Sequence, residues 1–221
     1  MVISKRIFRN FSENLIKMRI KVCGLHPIRD VQLCIDLGVN FLGFVFYKKS
    51  PRNLILEDIQ KLKRYDKKNS FFTAVTVNPT NEFIKKTILG NFDYIQLHGS
   101  ETNDRVGEIK SMGLKIIKAI KIKNESDIEN YKQYENADII LFDTPGMEKS
   151  IEFPKNLISK IPKGEKYALA GSITQNNIEN IAKLGVNFCD LSSSLESDTQ
   201  LGYKDHHKIK SFVKKINEIK N

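Results

Sequence analysis

The chain has 221 residues, 40% of them hydrophobic and 28% charged, a balance that supports a packed core and excludes a disordered chain. Lys and Arg number 36 against 26 Asp and Glu, a net charge of +10 that would draw in an anionic substrate. The basic residues are spread along the chain without a stripe interleaved with aromatics, so no nucleic-acid partner is expected, and no apolar run approaches the ~20 residues of a membrane span.

Residues 1–17, MVISKRIFRNFSENLIK, read as a basic N-terminal extension ahead of Met18. Glu13 and the shortness of the segment argue against an amphipathic presequence, and it lacks the apolar stretch of a secretory signal. From Met18 onward, short β-branched runs alternate with amphipathic segments, the pattern of repeated βα units on a parallel sheet. Strands are predicted over 19–23, 41–45, 73–77, 94–97, 115–119, 139–142, 167–170 and 188–191. Helices are predicted over 30–37, 57–65, 82–89, 176–184 and 208–219. Eight parallel strands predict an α/β fold, a single (βα)8 TIM barrel filling 18–221. An open doubly wound sheet is the alternative, but no GxGxxG follows the first strand.

Cys23, Cys34 and Cys189 are an odd, widely spaced set. They suit neither a disulfide framework nor a Cys-x-x-Cys metal pair, so a reducing, cytoplasmic setting and no metal are expected. Cys34 falls on a helix face and Cys189 inside a strand, both structural positions, while His26, His206 and His207 read as surface residues. In such barrels the reactive groups stand where strands end and loops begin. Reading those positions gives Cys23-Gly24, Arg52, Asn78-Pro79, Gln96 to Gly99, Asp143, Gly171-Ser172, and Asp190 to Ser193. A thiol, a carboxylate, an arginine and small-residue turns would thus converge on one rim, and small residues let backbone N–H groups approach an anion.

These segments carry a resemblance. KVCGL at 21–25, LGFVFYKKSPRN at 42–53, DYIQLHGSE at 93–101, LFDT at 141–144, LAGS at 169–172, CDLSSSLES at 189–197 and GYKDHHKIKSFV at 202–213 resemble, in order and spacing, the motifs of the phosphoribosylanthranilate isomerase family. The resemblance runs from about Met18 to Ile216. It implies an intramolecular oxidoreductase of tryptophan biosynthesis. The reaction is an Amadori rearrangement of a phosphoribosylamine of anthranilate to a 1-amino-1-deoxyribulose phosphate. It also implies a small phosphorylated substrate and no cofactor. Oligomeric state is left open.

By resemblance, Asp143 is the general acid that protonates the furanose oxygen and Cys23 the base that removes the C2 proton of the Schiff base. Opposed protonation is then expected, Asp143 raised towards neutrality and Cys23 lowered towards thiolate. Arg52 would meet the anthranilate, His98 and Asp190 would line the substrate, and Gly171, Ser172, Ser192 and Ser193 would hold the phosphate. Without the motifs, Cys23 would read as a small buried hydrophobe, Asp143 as a loop cap and Arg52 as a solvated charge. The phosphate region departs from the family pattern. A glycine-rich stretch is replaced by TPGMEKSIEF at 144–153, and serines stand at Ser172 and Ser194 where the family carries glycine. Weaker phosphate binding is expected there. Another phosphosugar isomerase or epimerase on the same barrel is the second reading, and a basic non-catalytic nucleic-acid-binding barrel the third.

Overall fold

A computed structural model describes residues 18–26, 28–144 and 155–219. The extension at 1–17 and the altered stretch at 145–154 lie outside the described residues. The strands are β1 (Arg19–Cys23), β2 (Phe41–Phe46), β3 (Phe71–Thr76), β4 (Tyr94–Leu97), β5 (Lys115–Lys121), β6 (Ile139–Asp143), β7 (Tyr167–Ala170) and β8 (Phe188–Leu191). Each pairs in parallel with its neighbours, and β1 pairs with β8 through Lys21 opposite Asp190, which closes the barrel. The expected (βα)8 fold is therefore the observed one. β3 begins two residues before its predicted start, because the Phe71 amide already bonds the Asn40 carbonyl at 2.8 Å.

The helices are α1 (Val31–Asp36), α2 (Leu56–Leu62), α3 (Asn81–Phe83), α4 (Asn103–Ser111), α5 (Glu125–Glu129), α6 (Lys155–Ser159), α7 (Ile178–Lys183) and α8 (His206–Glu218). The predicted helix at 82–89 widens after α3 into a π-helical turn, Ile84–Ile88, with the Leu89 amide on the Ile84 carbonyl. That turn buries both Ile84 and Ile88. α4, α5 and α6 were not visible as periodic runs. α4 buries only Val106 and Ile109, and α5 is a short turn fixed by a capping box between Asn124 and Asp127.

Alternation along the strands sorts the side chains into two sets. Ile20, Val22, Leu42, Phe44, Ile95, Leu97, Cys189 and Leu191 face outward and join the core beneath the helices. Phe41, Tyr94, Ile117, Ile139, Leu141 and Phe188 fill the barrel at the strand starts. By the same alternation Lys21, Gly43, Thr73, Gln96 and Asp190 form a polar layer above them, followed by Cys23, Val45 and Val75. Polar groups inside a barrel are costly unless they pair or serve a ligand, so this layer marks where chemistry begins.

Candidate active site

The C-terminal strand ends open into one cavity of about 280 Å³. β1 brings Cys23, β6 Asp143 and β8 Asp190, while the loops after β2 and β4 bring Arg52 and His98. Gly171, Ser172, Ser192 and Ser193 line it from the turns after β7 and β8. Every residue expected at the site thus meets in one place. A larger hollow of about 560 Å³ lies between α7 and α8 beside Glu179, Lys183 and Lys215, away from the strand ends and their polar layer.

Asp143 is held above the usual carboxylate range chiefly by burial. His98, with Nε2 3.6 Å from Asp143 Oδ2, opposes the shift, and Asp190 adds to it. The proton-bearing form of Asp143 is thereby favoured, as a general acid requires. Cys23 departs from expectation: its thiol is pushed up, not down. Burial is the main cause and the Asp190 carboxylate reinforces it, while the Lys21 and Lys204 ammonium groups act against it.

Lys21 donates to Asp190 Oδ2 at 2.8 Å, and both side chains are buried. Burial works to lower the Lys21 pKa, but Asp190 and Cys23 outweigh it and hold the ammonium above its ordinary value. The Cys23 Sγ and Lys21 Nζ each lie 3.0 Å from the point where a Cβ on Gly43 would stand. Glycine on β2 is what lets thiol and ammonium converge. Asp190 Oδ1 and Gln96 Oε1, also in this layer, are buried without a hydrogen-bond partner. Both residues line the cavity, which makes these oxygens natural acceptors for ligand hydroxyls.

Arg52 reaches the rim over Gly24, whose φ of +80° and missing side chain both matter: a Cβ there would run into the Arg52 stem. Its Nε is tied to Glu196. After β7, Gly171 has φ +87° and presses so close to the Thr144 carbonyl that no Cβ fits. Ser172 follows in the left-handed region at φ +49°, which costs a non-glycine residue about 1–2 kcal/mol. Glycine, the residue expected here from the resemblance, would adopt this φ at no steric cost. Ser172→Gly is expected to lower the KM for a phosphorylated substrate with kcat nearly unchanged, read by steady-state kinetics. Unfolding stability should move by less than ~1 kcal/mol, because the relieved strain is offset by the greater unfolded-state entropy of glycine.

Lys21 and Thr144 belong to the site or its support but were not singled out in the sequence, and Gln96 was read at the end of β4 without a role of its own. The available signal was polar residues at inward-facing strand positions inside quoted motifs. Cys34 and Cys189 are fully buried as expected, the Cys34 thiol pushed up to about 12 by burial. Two histidines correct the surface reading. His26 is half-buried and stacked on Tyr203 at 4.4 Å, because the first loop folds back over the β8 side of the rim. His206 is half-buried with Nε2 3.1 Å from the buried Asp30. Only His207 is exposed.

Residues 20–215 match the sequence profile described as PRAI, N-(5'-phosphoribosyl)anthranilate (PRA) isomerase. The chain belongs to this family. The isomerase of Petrotoga mobilis is 37% identical over 210 residues, covering 92% of this chain and 99% of the relative. That of Sinorhizobium medicae is 32% identical, covering 91% and 98%. Among solved structures, the isomerase of Thermotoga maritima superposes with TM-score 0.78 at 27% identity, covering 90% of this chain and 98% of the other. A phosphoribosyl anthranilate isomerase crystallised with reduced 1-(o-carboxyphenylamino)-1-deoxyribulose 5-phosphate gives TM-score 0.76 at 28% identity, with the same coverage. A 3-hexulose-6-phosphate synthase from Salmonella typhimurium, at 14% identity and TM-score 0.63, shares the fold alone.

Proposed function

We propose that this chain converts N-(5-phosphoribosyl)anthranilate to 1-(2-carboxyphenylamino)-1-deoxyribulose 5-phosphate, the isomerisation step of tryptophan biosynthesis, with Cys23 as base and Asp143 as acid. The observation that carries the assignment of roles is the meeting, in one cavity, of a buried carboxyl shifted towards its protonated form and a thiol flanked by a fixed ammonium. Asp143 gives its proton to the ring oxygen as the nitrogen lone pair opens the C1–O bond, leaving an iminium. That positive charge acidifies the C2–H and favours the Cys23 thiolate, so burial of the thiol is overcome when the substrate is in place. Cys23 takes the C2 proton and forms the enolamine. Return of a proton to C1, with the C2 hydroxyl proton passing to Asp143, gives the ketose and restores both groups.

Arg52 meets the anthranilate carboxylate, a pairing that suits a planar guanidinium. His98 keeps the Asp143 carboxyl oriented from 3.6 Å, and Asp190 Oδ1 accepts from a sugar hydroxyl. The turns at Gly171-Ser172 and Ser192-Ser193 hold the phosphate. Three free cysteines and, among the described residues, no helix long and apolar enough to cross a membrane fit a cytoplasmic setting. Turnover by the purified chain tests the reading. Phosphoribosylanthranilate should be consumed and aldose phosphates without the aryl amine should not; the reverse preference would move the chain to another phosphosugar isomerase.

A further inference from the structure

Two buried charges beside the cavity are not used by the chemistry above. Glu196 follows β8 and Lys204 lies just before α8, and neither lines the cavity. Their side chains are 6% and 0% exposed. Glu196 Oε1 accepts from Arg52 Nε and also from Lys204 Nζ at 3.1 Å. Lys204 Nζ donates in addition to the Ser192 carbonyl at 3.1 Å. The two residues face each other across an antiparallel bridge, braced by the Ser197 amide on the Tyr203 carbonyl at 2.8 Å. One carboxylate oxygen is therefore fixed by two cations on a rigid support.

We propose that Glu196 and Lys204 are positioning residues that aim Arg52 at the substrate carboxylate and so set specificity for a carboxylated aryl amine. The inference rests on the reading that Arg52 meets that carboxylate. Among the described residues the Arg52 guanidinium bonds a side-chain partner only through Nε. That contact fixes the guanidinium plane and leaves the two terminal nitrogens to grip a carboxylate end-on. Glu196 alone would cancel the charge of Arg52 and repel an incoming carboxylate. Lys204 removes that penalty, since two cations against one carboxylate leave the cradle net positive. Burial pushes the Lys204 pKa down, and Glu196 is the chief group that opposes it, so each partner of the pair sustains the other's charge.

The test compares KM for N-(5-phosphoribosyl)anthranilate with KM for N-(5-phosphoribosyl)aniline, which lacks the carboxylate. Lys204→Met makes the cradle neutral and is expected to raise the first KM about 10–100-fold, the scale of a lost charged hydrogen bond. The double variant Glu196→Leu/Lys204→Met keeps the net charge of the parent but frees Arg52 to swing. It should raise the first KM about tenfold, which separates aim from charge, and it leaves no unpaired buried ion to unfold the chain. The aniline substrate should respond to neither by more than about threefold. Arg52→Met is the control. If it weakens both substrates alike, the assignment of Arg52 to the carboxylate fails. If it discriminates between them while Lys204→Met and the double variant do not, the cradle proposal is overturned.

Discussion

Cys23→Ser and Asp143→Asn are each expected to lower kcat about 10²–10⁴-fold while KM changes little, the usual scale for removing a positioned base or acid. Serine keeps the shape of Cys23 but cannot ionise beside Lys21, so the C2 proton has no acceptor. Asparagine keeps the polarity of Asp143 but has no proton to give to the ring oxygen. The two variants differ in pH dependence. Burial raises both groups, and turnover needs the thiol ionised and the carboxyl protonated. Parent activity should therefore rise from acid pH as Cys23 loses its proton and fall at alkaline pH as Asp143 can no longer keep one. In Asp143→Asn the alkaline fall should vanish while the acid-side rise stays. Profiles of kcat/KM for the parent and this variant check it, and an unchanged alkaline limb would remove Asp143 from the role of acid.

The second large effect concerns stability. Lys118 points from β5 away from the barrel axis, between Ile116 and Ile120, which face the outer core. Its ammonium donates to Glu101 Oε2 at 2.9 Å and to the Gly99 carbonyl at 2.8 Å. Glu101 in turn accepts from the amides of Asn78 at 2.7 Å and Gly99 at 3.0 Å. This buried pair ties together the loops after β3 and β4 at the point where His98 leaves the barrel. Lys118→Met strands a buried carboxylate and is expected to cost about 3–5 kcal/mol, measured by urea unfolding. Adding Glu101→Gln removes the stranded charge and should recover a good part of that loss. If the single variant unfolds like the parent, the pair does not clamp these loops.

The barrel was legible because burial on both faces of a parallel strand leaves β-branched and apolar runs that alternate with helical stripes. Positions at strand ends then located Cys23, Asp143 and Asp190 without any side-chain information. The protonation of Cys23 was not legible. It depends on how deeply Sγ sits and on Asp190, 167 positions further along the chain, factors that only the closed barrel brings together. Lys21 was hidden for a related reason: a charged residue in a strand ordinarily signals a solvated face, and here its ammonium is neutralised by a partner across the barrel seam. Lys204 and Glu196 stood inside the motifs, yet the carboxylate of Glu196, which holds Lys204 in the segment after β8, meets Arg52 from the loop after β2, a pairing only the closed barrel makes. Ser172 was legible as a departure from glycine, and its positive φ gives that departure a physical meaning.

The central claim is that the cavity holding Cys23 is where the phosphorylated aryl amine is isomerised. Partial alkylation with iodoacetamide tests it, because Cys23 lines the cavity whereas Cys34 and Cys189 are fully buried and serve as internal controls. Turnover of phosphoribosylanthranilate is measured against the fraction of Cys23 modified. The expected result is a proportional loss reaching zero at full modification, with saturating reduced product analogue protecting both the thiol and the activity. Full turnover by a chain quantitatively alkylated at Cys23 would contradict the account.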